Sequence, residues 1–345
     1  MKINVTSILG LLVAMVLVSS CKKENTAVAI QVQNPYTYDD QYYANLRAYK
    51  KTDHQYFFGY FAAYAPIQGA SGNKESPSWG ERILGLPDSV DIVNLWMGIP
   101  TKDWQPLALA DMQFCQKQKG TRFVSHQDAS NISQFVNAPG DTVKIKDTVT
   151  IKAYGQYIVD QVLNNNIDGV DIDYEPSQGV WTTSSNFTVL IKYIAQFFGP
   201  TGKYPDKLLI IDYYSAIPPA ACGPYVSYYV RQAYSQGTGG VQNATNLQNY
   251  YNSVAGAIPP GKFIVQENFG DFSANGGTPF TEANGNTMTR EGIQMTSMEG
   301  MARWNPTQGK KAGWGAFYFD RDYYGVQGPY YFVRRSIQIV NPAAK

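Results

Sequence analysis

Short apolar runs alternate with helix-like segments along most of the chain, and this alternation restricts the possible folds more than any other feature. Runs such as "YFFGYFAAYA" are apolar at consecutive positions, which is typical of strands buried on both faces. Eight such runs occur, at 56–65, 89–98, 121–129, 167–176, 207–216, 225–236, 262–270 and 312–323. Eight buried strands that alternate with helices predict an α/β protein, a single-domain (β/α)8 TIM barrel.

The segments between these runs carry helix signals. Segment 76–85 begins with Ser76 as a cap and Pro77 at the first helical position, and segment 106–120 ends at Gly120. The predicted helices are 38–52, 76–85, 106–120, 150–166, 184–199, 245–257, 289–303 and 330–340. A doubly wound open sheet is the alternative, but no Gly-rich phosphate turn follows the first run.

Composition excludes some classes of partner. The 28 basic and 27 acidic residues leave a net charge of +1, and no basic run is interleaved with aromatics, so no nucleic-acid partner is expected. The chain has 26 tyrosines, which suit contact with sugars, although a Tyr-rich core explains them as well. With two histidines, His54 and His126, a His/Cys metal cluster is disfavoured. We expect a monomer without a cofactor or a metal, in which each histidine is structural.

The first 20 residues have the features of a secretory signal. Lys2 precedes an apolar run at 8–18, and Ser19 and Ser20 precede Cys21. The ending "VSSC" resembles a bacterial lipobox, which implies cleavage before Cys21 and lipidation of its thiol. The predicted organisation is therefore a lipoprotein signal peptide (1–20), a polar tether (21–37) and a catalytic barrel (38–345), anchored by lipid at the outer membrane or cell surface.

Two cysteines remain in the mature chain, Cys115 and Cys222. They could pair in an oxidising compartment. Because the predicted barrel places them on different sides of the fold, we expect two buried thiols instead.

Four acids fall within eight positions of the fourth run, "IDGVDIDYEP" (167–176). Side chains alternate along a strand, so Asp171, Asp173 and Glu175 share one face. The other face is apolar and suits the surrounding helices, so the acids are predicted to point into the barrel. Glu175 then ends the strand at the carboxyl rim, where barrel enzymes build active sites. Buried like charges raise the pKa of one another, and this can keep a glutamic acid protonated for general-acid catalysis. A solvated edge strand is the alternative, but it predicts interspersed Lys or Arg.

The letters "DGVDIDYE" also fit the D-G-x-D-x-D-x-E signature of glycoside hydrolase family 18, and the chain resembles that family here at every fixed position. The resemblance implies a (β/α)8 barrel with the motif on strand four. It implies that Glu175 is the acid/base and that Asp173 orients and stabilises the acetamido group of the substrate. Asp171 would lie deeper and share a proton with Asp173, while Asp168 and Gly169 would be structural.

The sixth run ends in Gln232-Ala233-Tyr234, which resembles the Q-x-Y of bacterial endo-β-N-acetylglucosaminidases. These enzymes cut the chitobiose core of N-glycans. The resemblance implies that Tyr234 hydrogen-bonds the acetamido group and that Gln232 helps to place it. Chitinases usually carry M-x-Y-D here, and often an extra domain between strands seven and eight, for which about 40 residues leave too little room.

The same resemblance implies a retaining hydrolase that cleaves the β-1,4 linkage with assistance from the substrate. Two alternatives stay open: a chitinase or chitooligosaccharide hydrolase, and a non-catalytic glycan-binding lipoprotein of an uptake system, against which the intact Glu175 argues. Further substrate-binding candidates on strands five, seven and eight are Asp212, Gln266 and Trp314. Each has an alternative as an ordinary interior residue.

Overall fold

Eight parallel strands close into a barrel in the computed structural model, which describes residues 38–65, 79–128, 148–176, 184–235 and 242–342. The barrel strands are β1 (Tyr56–Phe61), β2 (Ile92–Leu95), β3 (Arg122–Asp128), β4 (Gly169–Asp173), β5 (Leu208–Tyr213), β6 (Tyr228–Gln232), β8 (Phe263–Asn268) and β10 (Gly313–Phe317). They are hydrogen-bonded in chain order, and β10 pairs with β1 to close the ring. The predicted (β/α)8 barrel is confirmed, with each strand inside a predicted run.

The two faces of the strands supply two separate cores. Phe58, Ile92, Val124 and Ile210 belong to a cluster that fills the barrel interior. The alternate positions on the same strands belong to a larger cluster packed between the barrel and its outer layer. Because both faces are buried, the strands read as continuous apolar runs, which is why the alternation with helices was visible in the sequence.

The helices surround the barrel. They are α1 (Asp40–Tyr49), α2 (Pro106–Phe114), α3 (Thr148–Asn164), α4 (Ser184–Ile194), α5 (Ala244–Asn252), α6 (Phe269–Phe272), α7 (Ser297–Arg303) and α8 (Tyr331–Val340). A π-helical turn, Cys115–Lys119, extends α2, and the chain between β5 and β6 carries a 3₁₀ helix, Ala220–Tyr225. Among the described residues, no helix is long and apolar enough to cross a membrane.

One predicted helix, 289–303, is only half correct. Its first part is a turn in which the Thr289 N–H donates to the Ile293 carbonyl at 2.7 Å, and Gly292 has a φ of +75°. Helical backbone needs negative φ, so the helix begins later, at Ser297. In the predicted segment 76–85, residues 79–81 and 83–85 are short 3₁₀ helices. Its predicted cap, Ser76, lies outside the described residues.

Two further features were not predicted. A two-stranded sheet pairs β7 (Gln242–Asn243) with β9 (Phe280–Thr281). The eighth barrel strand also ends earlier than expected, at Phe317, because Tyr318 has a φ of +50° and a 3₁₀ helix, Phe319–Tyr324, follows. The end of β10 is therefore a sharp turn at the rim of the barrel.

Cys115 and Cys222 are both free and buried, as predicted. The Cys115 thiol contacts the Ile83 carbonyl, and the Cys222 thiol contacts the Thr188 hydroxyl, so the two lie against different elements. The predicted signal peptide, Cys21 and the tether all lie outside the described residues.

Candidate active site

The first residues of the acidic motif hold the start of β4. The Asp168 carboxylate accepts hydrogen bonds from the Phe123 N–H and from Gln116 Nε2, both at 2.8 Å. Gly169 has a φ of +150°, and a Cβ added there would lie 2.2 Å from the Leu208 carbonyl oxygen. The two residues thus set where β4 lies between β3 and β5, which agrees with the structural role that the resemblance implied.

Asp171 is fully buried in the barrel interior, below the rim. Its Oδ2 accepts hydrogen bonds from the Tyr60 hydroxyl at 2.9 Å and from Asn94 Nδ2 at 2.8 Å. Burial raises the pKa of this carboxyl well above its usual range, and the nearby Asp212 raises it further. Asp171 is therefore a neutral acid at physiological pH.

The hydrogen-bonded carboxyl partner of Asp171 is Asp212, across the β4–β5 pair. Both Oδ1 atoms are buried, and neither has a hydrogen-bond donor among the described residues. One proton between the two groups satisfies both oxygens and removes the repulsion of two buried charges. The proton sharing between Asp171 and Asp173 that the resemblance implied stays a prediction, and in the structure the carboxyl next to Asp171 is that of Asp212.

Asp173 lies one alternation closer to the rim and is only partly exposed. Its closest recorded donor is Gln232 Nε2, at 3.4 Å from Oδ1, and the same Nε2 lies 2.5 Å from Asp212 Oδ2. Burial raises the pKa of Asp173 to about 10, with further contributions from the surrounding carboxyls. The pKa of Asp212 rises only to about 6, because burial is opposed by hydrogen bonds, that of Gln232 foremost. Of these two acids, Asp212 therefore ionises first.

Glu175 follows the end of β4 at the carboxyl rim, where it is half-buried. Burial raises its pKa, and the negative charge of Asp128 at the end of β3 raises it further. A glutamic acid in this setting keeps its proton to higher pH than an ordinary one, and it stands where a bound molecule would enter. The structure therefore brings Asp171, Asp173 and Glu175 onto one wall, as predicted.

Tyr234 lies just past the end of β6 and faces the same acids. Burial raises the pKa of its hydroxyl well above its usual value, and the charges of Asp212, Asp173, Asp171 and Glu175 add to the effect. Its ring stacks on Tyr214 at 6.1 Å and lies 5.9 Å from Phe317, centroid to centroid. The hydroxyl is thus a neutral donor next to the acidic wall.

Two predicted substrate contacts are not brought to the rim. Gln266 points inward but is fully buried, and its Nε2 donates to the Phe58 carbonyl at 3.1 Å. This hydrogen bond crosses β10 at Gly315, which has no side chain and lies between β8 and β1. Trp314 points outward into the layer between barrel and helices, where its indole N–H donates to Ser336 Oγ at 3.0 Å. The role predicted for Trp314 is thereby corrected, since its ring has no exposed surface.

The site also contains residues that the sequence did not mark, Trp96 and Asp128 among them. Trp96, after β2, lies with its ring 5.0 Å from Phe317 and 4.4 Å from His126, and its indole N–H donates to the Tyr318 hydroxyl at 3.0 Å. These side chains form an aromatic wall beside the acids. His126 and Asp128 are two positions apart on β3 and therefore share one face of the strand. This alternation could have predicted that both side chains point toward the site.

His126 does not have the satisfied structural role expected of it, in contrast to His54, which pairs with Asp91 at 3.0 Å. Its Nδ1 is buried and has no hydrogen-bond partner among the residues that the structure describes, and burial lowers its pKa to about 4, so the ring is neutral. One ligand atom each of His126, Asp171 and Asp212 lie within 4.8 Å of one another, a spacing that could hold a metal ion. The Oδ2 atoms of both acids already accept hydrogen bonds, which favours the shared proton at this site.

The arrangement can protonate a leaving group at the rim, orient an amide N–H below it, and pack a sugar ring against aromatic side chains. This chemistry agrees with the comparisons with known proteins. The sequence model described as "Glycoside hydrolase family 18, BT1044-like" matches residues 21–339.

Two curated relatives are endo-β-N-acetylglucosaminidases by name. Endo-β-N-acetylglucosaminidase F2 from Elizabethkingia meningoseptica is 26% identical over 289 residues, which are 81% of this chain and 77% of that protein. Endo-β-N-acetylglucosaminidase EndoSd from Streptococcus dysgalactiae is 26% identical over 284 residues, and the match spans only 33% of its length.

Solved structures share the fold. A glutamate-to-glutamine variant of BT1044 superposes with a TM-score of 0.68 at 21% identity, covering 88% of this chain and 94% of that one. The apo form of endo-β-N-acetylglucosaminidase from Cordyceps militaris gives a TM-score of 0.63 at 22% identity, with 89% and 98% covered. At these identities the likeness supports the barrel alone.

Proposed function

Because the chain belongs to the BT1044-like group of glycoside hydrolase family 18, and is thus a glycoside hydrolase, we propose that it is a retaining endo-β-N-acetylglucosaminidase. Its substrate is the β-1,4 linkage in the chitobiose core of N-glycans. The names of the two curated relatives support this choice of linkage, and so does the Q-x-Y sequence of Gln232, Ala233 and Tyr234.

The observation that carries the proposal is the one-sided arrangement of the acids. The four carboxyls that act on Tyr234 come from β4, from the adjacent β5, or from Glu175 just beyond β4. A nucleophilic carboxylate would have to approach the anomeric carbon from the face opposite the leaving group. These acids lie on the same side as Glu175, so they suit orientation and proton transfer, and this supports a nucleophile supplied by the substrate.

In the first step, the 2-acetamido oxygen of the substrate attacks the anomeric carbon while Glu175 donates its proton to the leaving oxygen. The glycosidic bond breaks, and an oxazolinium ion forms. Asp173 releases its own proton to solvent as the substrate binds, and its carboxylate then accepts a hydrogen bond from the acetamido N–H and balances the positive charge that develops there. The Tyr234 hydroxyl donates a hydrogen bond to the acetamido group and keeps the acetamido oxygen directed at the anomeric carbon.

In the second step, the Glu175 carboxylate takes a proton from water, and the hydroxyl attacks the anomeric carbon from the side that the leaving group vacated. The oxazolinium ring opens and the acetamido group is restored. Two inversions give net retention. The aromatic wall of Trp96 and Phe317 would contact the apolar face of the sugar.

The proposal is tested by mass spectrometry of glycans released from a mixed set of glycoproteins, with chitin oligomers as a second substrate. Wild-type protein is expected to release glycans cut within the chitobiose core, and Glu175→Gln to release none while still binding them. Glu291→Gln makes the same chemical change at an exposed position and should retain activity. Cleavage of chitin oligomers alone would instead identify a chitooligosaccharide hydrolase, and binding without turnover by the wild type would identify a glycan-binding protein.

A further inference from the structure

We propose that Glu267 is a positioning residue that fixes Tyr234 in its catalytic place through the backbone of the adjacent Ser235. This inference rests on the proposed function, because it concerns the residue that holds the acetamido group. Glu267 lies on β8 and faces the outer layer, because its alternate neighbours Ile264 and Gln266 point into the barrel. It is fully buried there and does not line the acidic pocket.

The Glu267 carboxylate accepts four hydrogen bonds. Oε1 accepts from the Ser235 N–H at 3.0 Å and from the Asn268 N–H at 2.7 Å. Oε2 accepts from Ser235 Oγ at 2.6 Å and from Ser297 Oγ. A buried carboxylate needs such a set of donors to be stable, and hydrogen bonds to a charged group are roughly twice as strong as neutral ones.

These bonds reach Tyr234 through its neighbours on both sides. Ser235, which follows Tyr234, gives both of its donors to Glu267. Ala233, which precedes Tyr234, presents its carbonyl to Gln242 Nε2 at 2.7 Å. The backbone of Tyr234 lies past the last residue of β6 and is thus held from both flanks by buried side chains.

The same carboxylate ties this segment to α7. Thr278 Oγ1 donates to Ser235 Oγ at 2.8 Å, and the Thr278 N–H donates to Ser297 Oγ at 3.0 Å. Ser235, Glu267, Ser297 and Thr278 therefore form a closed ring of hydrogen bonds between β8, α7 and the end of β6. A glutamine at 267 would offer one acceptor oxygen and an NH₂ group that faces donors, so the ring could not close.

A double-mutant cycle with Tyr234→Phe separates positioning from general damage. Glu267→Gln is expected to lower kcat by about 10- to 100-fold, with KM changed much less, because a misplacement of about 1 Å can cost that much. In the Tyr234→Phe background, where the hydroxyl is already absent, the same change should cost less than about threefold. An equal loss in both backgrounds would overturn the proposal.

Glu299→Gln is the matched control. Glu299 is also a buried glutamate, but it lies on α7, pairs with Arg303 and Arg335, and makes no hydrogen bond with Ala233, Tyr234 or Ser235. Its substitution should lower stability and have the same effect on kcat in both backgrounds. If Glu267→Gln does not fold, Ser235→Ala removes one donor of the ring and is run through the same cycle.

A second readout does not depend on the proposed function. Hydrogen–deuterium exchange of residues 233–235 is expected to be faster in Glu267→Gln than in wild type, and unchanged in Glu299→Gln. Unchanged exchange in Glu267→Gln would contradict the positioning role even if the enzyme were active on another sugar. Absence of cleavage by wild-type protein would contradict the proposed function and leave the exchange result to decide this inference.

Discussion

Glu175 and Asp173 belong to one wall of the site but have different environments. Asp173 is largely buried, and its pKa of about 10 keeps it neutral until a substrate N–H and a developing positive charge favour the ionised form. Glu175 is half-buried at the rim, and its pKa is raised mainly by burial and then by Asp128. The two acids can therefore perform different tasks at one pH.

The charge of Asp128 gives a pH test at the residue scale. The general acid must carry a proton, so activity falls at high pH as Glu175 ionises. Asp128→Asn removes a negative charge that disfavours this ionisation, so the pKa of Glu175 should fall. We expect the alkaline limb of the kcat/KM profile to move to lower pH, measured on a soluble glycopeptide. The exposed Asp103→Asn is the control, and an alkaline limb that stays in place or moves upward in Asp128→Asn would contradict the assignment.

Single residues also show how far the sequence could predict the site. Asp171, Asp173 and Glu175 were found because alternation along one strand needs no knowledge of its neighbours. The Asp171–Asp212 pair was not found, since it depends on how β4 and β5 are aligned. Trp314 was misplaced because both faces of a barrel strand are apolar, so that composition does not say which face is inward.

At the scale of elements, buried polar groups fix how the strands and helices meet. Lys311 precedes β10 at the amino end of the barrel, opposite the site, and is 1% exposed. Its Nζ lies 2.6 Å from Gln55 Oε1, 2.8 Å from the Ala302 carbonyl and 2.5 Å from the Trp304 carbonyl. The last two oxygens belong to the carboxyl end of α7, so Lys311 caps that helix.

Lys311→Met should therefore lower the free energy of unfolding by about 2 to 4 kcal/mol, because three buried acceptors lose their donor. The activity of the folded protein should be unchanged, since the site is at the other end of the barrel. Lys310→Met is the matched control: its exposed pair with Asp53 should contribute less than about 1 kcal/mol. Denaturant unfolding of both variants measures the difference, and equal stabilities would contradict the capping role.

Element boundaries were the least predictable part of the fold. The segment 289–303 has helical spacing, yet Gly292 at positive φ delays the helix to Ser297. The eighth run continues as apolar residues beyond Phe317, yet Tyr318 at positive φ ends the strand. In both places local backbone geometry, which the periodic pattern does not encode, sets the boundary; bridges from Gln294 to Met288 and from Thr296 to Pro279 also hold the first segment out of the helix.

At the scale of the whole molecule, the barrel was predictable because every strand and helix repeats one pattern. Closure of the ring then places the strand ends of β3, β4, β5, β6 and β10 on one rim. The residues that the sequence marked on separate strands, Glu175, Asp212 and Tyr234 among them, meet there for that reason. Selectivity among glycans depends on the loops after the strands and has no comparable pattern.

The lipobox-like sequence before Cys21 is the basis for proposing where the protein is located in the cell. We propose that the chain is anchored to the outer membrane or cell surface by lipid at this thiol. Cys21→Ser should move the protein from the membrane fraction to the soluble fraction without loss of activity in the purified enzyme. Fractionation followed by immunoblotting measures this, with Cys222→Ser as the control, and an unchanged membrane fraction for Cys21→Ser would remove the lipoprotein proposal.

We propose that the 2-acetamido group of the substrate acts as the nucleophile beside Asp173 and Tyr234. The most direct measurement is proton NMR of the first-formed sugar product during cleavage of a chitobiose-core glycopeptide, before the anomers equilibrate. We expect the β-anomer to appear first, and a matched substrate without the acetamido group not to be cleaved. An α-anomer as the first product, or equal cleavage of the substrate that lacks the acetamido group, would contradict it.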